Sequence, residues 1–219
     1  MINVSDLVNE KNITIYADEI LIMPNKFYLQ PNSAASVIVN VSIIKLLALP
    51  PLDATGNYTG KIYVTYNNET IVVPVNFTIY IPGYLAYKYT QYFIKVVNET
   101  PDDVFIKPHK RVLMKLEKLI KKHCHECRMK DLEVKELLIL ILNCTKELIA
   151  NERYVAAYAI LEVIEKITPY ILNETYIEPL TNRTYIDIYK TIISEIQNYL
   201  RIAIKGKLQA IIKECLRCR

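Results

Sequence analysis

The sequence predicts an α+β protein of two domains, an antiparallel β-sandwich followed by an all-α helical bundle of four or five helices. Three features carry that prediction: apolar alternation of period two from about residue 10 to 82, a Pro82-Gly83 turn signal, and a helical period from Pro101 onward. A chain of 219 residues has room for two small domains, at about 100–200 residues per domain. The expected boundaries are 1–82 for the sandwich, 83–102 for a Tyr-rich linker or docking segment that reads as a docking strand or a short helix, and 103–219 for the helices. With 52% hydrophobic and 23% charged residues the chain is globular, because a disordered chain would be poorer in apolar groups.

In the first part Ile13-Ile15, Ile20-Ile22, Phe27-Leu29, Val37 to Ile43 and Ile62 to Tyr66 alternate with polar neighbours, as half-buried strands do. Asn67-Asn68 separates the last of these from the β-branched run Ile71 to Ile81. Residues Tyr63 to Val75 therefore read as a hairpin, with Pro74 marking an edge or bulge. The order Phe27-Tyr28-Leu29-Gln30-Pro31-Asn32-Ser33, alternating Val, Gly56-Asn57-Tyr58-Thr59-Gly60-Lys61-Ile62-Tyr63-Val64 and Val73-Pro74-Val75 resembles archaeal and bacterial extracytoplasmic immunoglobulin-like domains. The likeness covers about a third of the chain. It implies an immunoglobulin-like sandwich used as a spacer or adhesion unit in surface-layer or secreted proteins, and it implies no catalytic residue. Asn32 stands where such domains usually carry Gly, and Asn also tolerates a left-handed turn.

In the second part Val112, Leu113, Leu116, Leu119 and Ile120 share one helical face, with Pro108 near the helix start. Asp131 is the expected cap of a second helix, apolar nearly all round and hence central. Asn151 is the expected cap of a third, with Tyr154, Ala157, Tyr158, Leu161, Ile164 and Ile167 inward. The last begins near Thr184 and turns Ile188, Ile192, Ile196, Tyr199, Leu200 and Ala203 to the core.

Composition excludes several function classes. A net charge of +4 is too weak to argue for nucleic acid. The longest apolar run, Tyr154 to Leu161, is far short of the ~20 residues a membrane span needs. Four glycines form no phosphate loop, and His109, His123 and His125 lack zinc-protease spacing. The basic run Lys118 to His123 reads as a solvated face that complements the helix dipole. The 17 tyrosines fall mostly in strand and helix patterns, where they pack. Few glycines and many β-branched residues fit a heat-stable protein, and an AT-rich genome would give the same bias.

The triplet Asn-x-Ser/Thr occurs at Asn3, Asn12, Asn40, Asn57, Asn68, Asn76, Asn98, Asn143, Asn173 and Asn182, which is 10 of 16 asparagines. Ser and Thr make up 19 of 219 residues, so chance predicts about 1.4 such triplets. This triplet is the acceptor for N-glycosylation, which requires an exposed Asn outside the cytosol. The competing explanation is that Asn suits turns and Thr suits strands. All but Asn143 are expected acceptors, since Asn143 falls in the central helix. The first residues show no signal peptide, so the expectation is a mature form or an excised ectodomain.

Cys124, Cys127, Cys215 and Cys218 form two C-x-x-C pairs near helix ends, each pair continuing an apolar face. Disulfides from the first pair to the second would close loops of about 90 residues and stabilise by ~4 kcal/mol in the chain-entropy model. The alternative is a four-cysteine zinc site with the same ligands, His123 and His125 being spare. Redox chemistry wants a helix N-terminus, and haem attachment wants a following His where Arg128 and Arg219 stand. The bridged arrangement requires a helix break at Lys205-Gly206-Lys207, a lengthwise crossing by Asn173 to Arg183, or bridges between molecules. Cys144 is expected as an unpaired, buried small hydrophobe.

Together these features lead to the expectation of a non-enzymatic, glycosylated extracytoplasmic protein of a thermophilic archaeon or its virus. Its role would be structural, adhesive or in assembly, without cofactor. Its partners would be other cell-surface proteins or further copies of itself.

Overall fold

A computed structural model describes residues 1–30, 33–123 and 133–217. The chain divides into two compact units, Met1–Ile81 with Gln209–Arg219, and Pro82–Leu208. It is α+β, roughly 53% helix and 22% strand, with antiparallel sheets.

Unit 1 begins with β1 (Ile2–Val4), β2 (Leu7–Asn9), β3 (Thr14–Ile15), β4 (Ile20–Met23) and β5 (Ile38–Val41). A short helix α1 (Pro51–Ala54) precedes β6 (Gly56–Tyr66) and β7 (Glu69–Ile79). β6 pairs with β7 along one side and with β1 and β2 along the other, and β3 pairs with β2; β4 and β5 form a separate ribbon. The expected hairpin is present because Asn67 and Asn68 take φ of 45° and 66°, which a two-residue turn between right-twisted strands requires. Pro74 lies on β7, which pairs on one side only, so its missing N–H costs no ladder bond.

Register and alternation divide the five-stranded sheet into two faces. Ile2, Leu7, Ile15 and Tyr58 lie on the buried face, where the Tyr58 hydroxyl donates to the Ala54 carbonyl at 2.8 Å. Asn3, Val8, Asn57, Thr59, Asn76 and Thr78 lie on the other face, exposed. One expected strand is absent: Phe27 to Leu29 has no regular structure and is exposed, since no neighbouring strand takes up its backbone groups.

Unit 2 contains α2 (Pro82–Glu99), α3 (Lys110–His123), α4 (Val134–Ala150), α5 (Tyr154–Ile167), the small ribbon β8 (Ile177–Glu178) and β9 (Arg183–Thr184), and α6 (Tyr185–Arg217), whose last turns belong to unit 1. Of the two forms expected for residues 83–102, a docking strand or a short helix, the helix is the one present for most of their length. They form α2, which buries Ala86, Thr90, Phe93 and Val97. The expected helical bundle is corrected, because no long bundle forms. Instead α4 packs chiefly on α2 and then on α5, and α3 touches α4 only lightly. The 3-10 turn Thr168–Tyr170, the β8–β9 ribbon and a bridge between Phe105 and Leu172 interrupt the helical path. A helical period marks which face is apolar, but not which helix covers it.

Three local expectations also change. Asn151 does not start α5; it ends α4, with its Nδ2 donating to the Glu147 carbonyl at 2.9 Å. Glu133 starts α4 through a reciprocal box, its N–H bonded to Glu136 Oε2 at 2.9 Å, and Asp131 lies outside the described residues. α6 runs unbroken through Gly206, which is buried, and Asn173 to Arg183 folds into the β8–β9 ribbon rather than crossing lengthwise.

Candidate functional site

The asparagines of the ten triplets separate by secondary structure and by what their carboxamides do. Asn3, Asn40, Asn57 and Asn76 sit in β1, β5, β6 and β7, and Asn98 sits near the C-terminal end of α2. Asn12, Asn68 and Asn182 occupy turns at φ of 60°, 66° and 53°. The turn set has a purely conformational explanation, since Asn tolerates a left-handed backbone. The strand and helix set does not, because Asn is disfavoured in both elements. Turn chemistry therefore accounts for three of these eight positions and leaves five unexplained.

All eight of these side chains are exposed, and their Nδ2 groups donate to nothing among the described residues. Asn173 is half-buried; its Oδ1 accepts from the Thr175 amide at 3.1 Å and hydroxyl at 2.8 Å, which leaves its Nδ2 unused. Outside the expected set Asn25, Asn67 and Asn198 are likewise exposed with Nδ2 unused among the described residues, whereas three others use that atom. Asn9, buried, donates Nδ2 to the Asp53 carbonyl at 2.9 Å and accepts from the Lys11 and Ile13 amides at 3.0 and 2.8 Å. Asn143, half-buried in α4, donates Nδ2 to the Ile139 carbonyl at 3.1 Å. Attachment of a sugar needs that nitrogen, so the fold leaves the reactive atom available at nine positions and occupies it at Asn143.

The β6–β7 ladder brings two triplets into one arrangement. Asn57 faces Thr78 and Thr59 faces Asn76, so each Asn stands opposite the Thr of the other triplet. The Thr78 hydroxyl donates to Asn57 Oδ1 at 2.6 Å. Asn57 and Asn76 are then diagonal neighbours on the exposed face, at a separation of roughly 7–8 Å. Asn3 on β1 shares that face, because it pairs with Tyr63 in the same alternation. On the β8–β9 ribbon, Glu178 accepts from the Leu180 and Thr181 amides at 3.1 and 2.6 Å and so shapes the turn that presents Asn182. The hydrogen bond from Thr181 holds the Glu178 carboxyl below its ordinary range.

The expected disulfide brace is corrected at Cys215, its one described cysteine. Among the described residues no two cysteines stand at disulfide distance. Cys215, expected to bridge, is free and exposed on α6. Cys124, Cys127 and Cys218 lie outside the described residues. Of the arrangements that would allow the bridges, neither the break at Gly206 nor the lengthwise crossing occurs within the chain. Cys144 is half-buried rather than buried, and it is not a free thiol. For the zinc alternative, no group of three or more metal-ligating side chains occurs among the described residues, which include Cys215 alone of the four proposed ligands. His109 is exposed, and His125 lies outside the described residues.

Sequence reasoning missed how the triplets are arranged relative to one another. The signal was available in part: Asn57 and Asn76 lie 10 and 8 positions from the ends of the Asn67-Asn68 turn, so a two-residue turn sets them one diagonal apart. No helix among the described residues is long and apolar enough to cross a membrane. The chain matches no protein-family model, no curated protein and no solved structure. Fold and site together define an α+β chain whose conspicuous chemistry is a set of asparagine carboxamides whose Nδ2 groups are unused among the described residues.

Proposed function

We propose that this is a non-enzymatic, N-glycosylated extracytoplasmic protein with a structural, adhesive or assembly role at a cell surface. The observation that carries the reading is the division of the asparagine carboxamides. Those in the expected acceptor set keep Nδ2 unused, and those that serve the fold through Nδ2, Asn9, Asn143 and Asn151, lie outside it. A chain keeping Asn merely for turns would not place it in β1, β5, β6, β7 and α2. Unit 1 is the spacer or adhesive module, as its likeness to immunoglobulin-like domains implies, and its wholly antiparallel pairing supports that role. A glycan-bearing face on the five-stranded sheet leaves partners, whether other surface proteins or further copies of the chain, to bind elsewhere.

Intact mass and glycopeptide mapping of protein purified from its native source test the reading. Expected are several glycans, distributed over Asn3, Asn12, Asn40, Asn57, Asn68, Asn76, Asn98, Asn173 and Asn182, with Asn143 bare. A mass equal to that of the unmodified polypeptide would overturn it.

A further inference from the structure

A cleft of about 670 Å³ lies within unit 2 between α3 and α5. Arg111, Lys115 and Lys118 enter it from α3 and Lys166 from α5, all four exposed. Among the described residues no carboxylate lines it and none of these four cations makes an ion pair. What distinguishes these four cations is their convergence on one cleft together with apolar walls. Between the cations the walls are apolar: Val112 and Leu119 from α3, and Val163 and Ile167 from α5. Helical spacing produces this mixture, because i, i+4 and i, i+7 steps along α3 bring Arg111, Lys115 and Lys118 beside the Val112–Leu119 stripe.

We propose that this cleft binds a single-tailed anionic amphiphile, its acidic head held by Arg111, Lys115, Lys118 and Lys166 and its hydrocarbon tail laid along Val112, Leu119, Val163 and Ile167. The proposal is independent of the glycosylated surface role. A simple inorganic anion would satisfy the cations and leave the apolar walls wet, and a neutral hydrocarbon would bury the walls and leave four cations unmatched. The volume lies in the range of small-molecule sites, about 300–1,000 Å³. A bilayer surface is disfavoured by position. Val112, Leu119 and Val163 are half-buried and Ile167 is buried, so the apolar groups form the cleft walls instead of projecting toward a membrane.

The test is calorimetric titration of the full chain with dodecyl phosphate below its micelle concentration. Expected is saturable binding of one ligand per chain, weakened by added salt because the head is held by exposed charges. Dodecyl maltoside has the same tail with a neutral head and should bind at least about tenfold more weakly. The exposed pair Lys115→Glu and Lys118→Glu should cost a similar factor without altering the circular dichroism of the fold. Leu119→Asn should weaken dodecyl phosphate while leaving any binding of inorganic phosphate unchanged. Equal affinity for the two heads, indifference to the charge reversals, or inorganic phosphate binding as tightly as dodecyl phosphate would each overturn the proposal. So would capture by vesicles of anionic phospholipid with no binding of the monomeric amphiphile.

Discussion

At the scale of single residues, Gly60 shows how one missing side chain sets a strand junction. β6 passes from pairing with β2 to pairing with β1 at this position, and residues Ser5 and Asp6 turn directly over it. The Ser5 amide donates to the Lys61 carbonyl at 2.9 Å, and the Lys61 amide donates to Ser5 Oγ at 2.9 Å. A Cβ on residue 60 would stand 2.5 Å from Leu7 Cδ2, 2.8 Å from the Asp6 carbonyl oxygen and 3.0 Å from Ser5 Oγ. The leucine tip has freedom to move, whereas the backbone oxygen has little, so Gly60→Ala should destabilise the chain by about 1–3 kcal/mol. A denaturant midpoint equal to wild type would refute that. Cys215 supports a second prediction at this scale. As a free, exposed thiol it should react with maleimide in the native protein without prior reduction, and Cys215→Ser should leave stability within about 0.5 kcal/mol of wild type. A native Cys215 that labels only after reduction would reinstate a bridge at that position.

Among the elements, the β6–β7 hairpin was legible in the sequence because its determinants are local. Alternation sets the faces, and Asn67-Asn68 supplies two left-handed residues. The same legibility extends to the triplets, which are three-residue patterns. It fails for α6, where Gly206 costs the helix ~1 kcal/mol locally. Tertiary contacts outweigh that cost: Ala203 and Gly206 are buried together, and Lys207 one residue on pairs with Glu152 and lies 6.0 Å from the Tyr154 ring centroid. Asn151 was misassigned for a related reason. The same carboxamide can cap either the helix before it or the one after it, and the spacing to both is short. The hairpin also yields a prediction about modification. Two sugars on diagonal neighbours Asn57 and Asn76 compete for the space above one sheet face, so doubly modified chains should be rarer than the product of the two single occupancies. Asn57→Gln should raise occupancy at Asn76. Glycoform counting on peptides that contain both sites checks this, and statistically independent occupancy would show that the face accommodates both.

For the whole molecule, what the sequence left illegible is what depends on the meeting of distant segments. The α3–α5 cleft is an example: Lys118 belongs to a run that reads as a solvated face, and only the approach of Val163, Lys166 and Ile167 makes it one wall of a site. The tyrosines are another, since 17 of them give no hint of which are sealed in the core. Tyr154 and Tyr189 are buried, and burial pushes both phenols well above their ordinary value of 10.0. The Glu152 charge adds to the effect at Tyr154. At Tyr189 burial is the dominant cause, and its hydroxyl lies 2.8 Å from that of Thr100. Both phenols therefore keep their protons in the folded chain when the unfolded chain has begun to lose them. Above pH 10 the unfolded state binds fewer protons than the folded state, so the stability of unit 2 is steady below that pH and declines as pH rises past it. The limiting slope is about 1.4 kcal/mol per pH unit for each such phenol. Tyr154→Phe should reduce the alkaline slope by one group. Tyr189→Phe should do the same while also costing about 1 kcal/mol at neutral pH, because Thr100 Oγ1 already donates to the Val96 carbonyl and needs the Tyr189 hydroxyl as its donor. Denaturant midpoints across this pH range, followed together with phenolate absorbance, decide the matter. A midpoint that stays level while the exposed tyrosines ionise would mean that the buried phenols titrate like those of the unfolded chain.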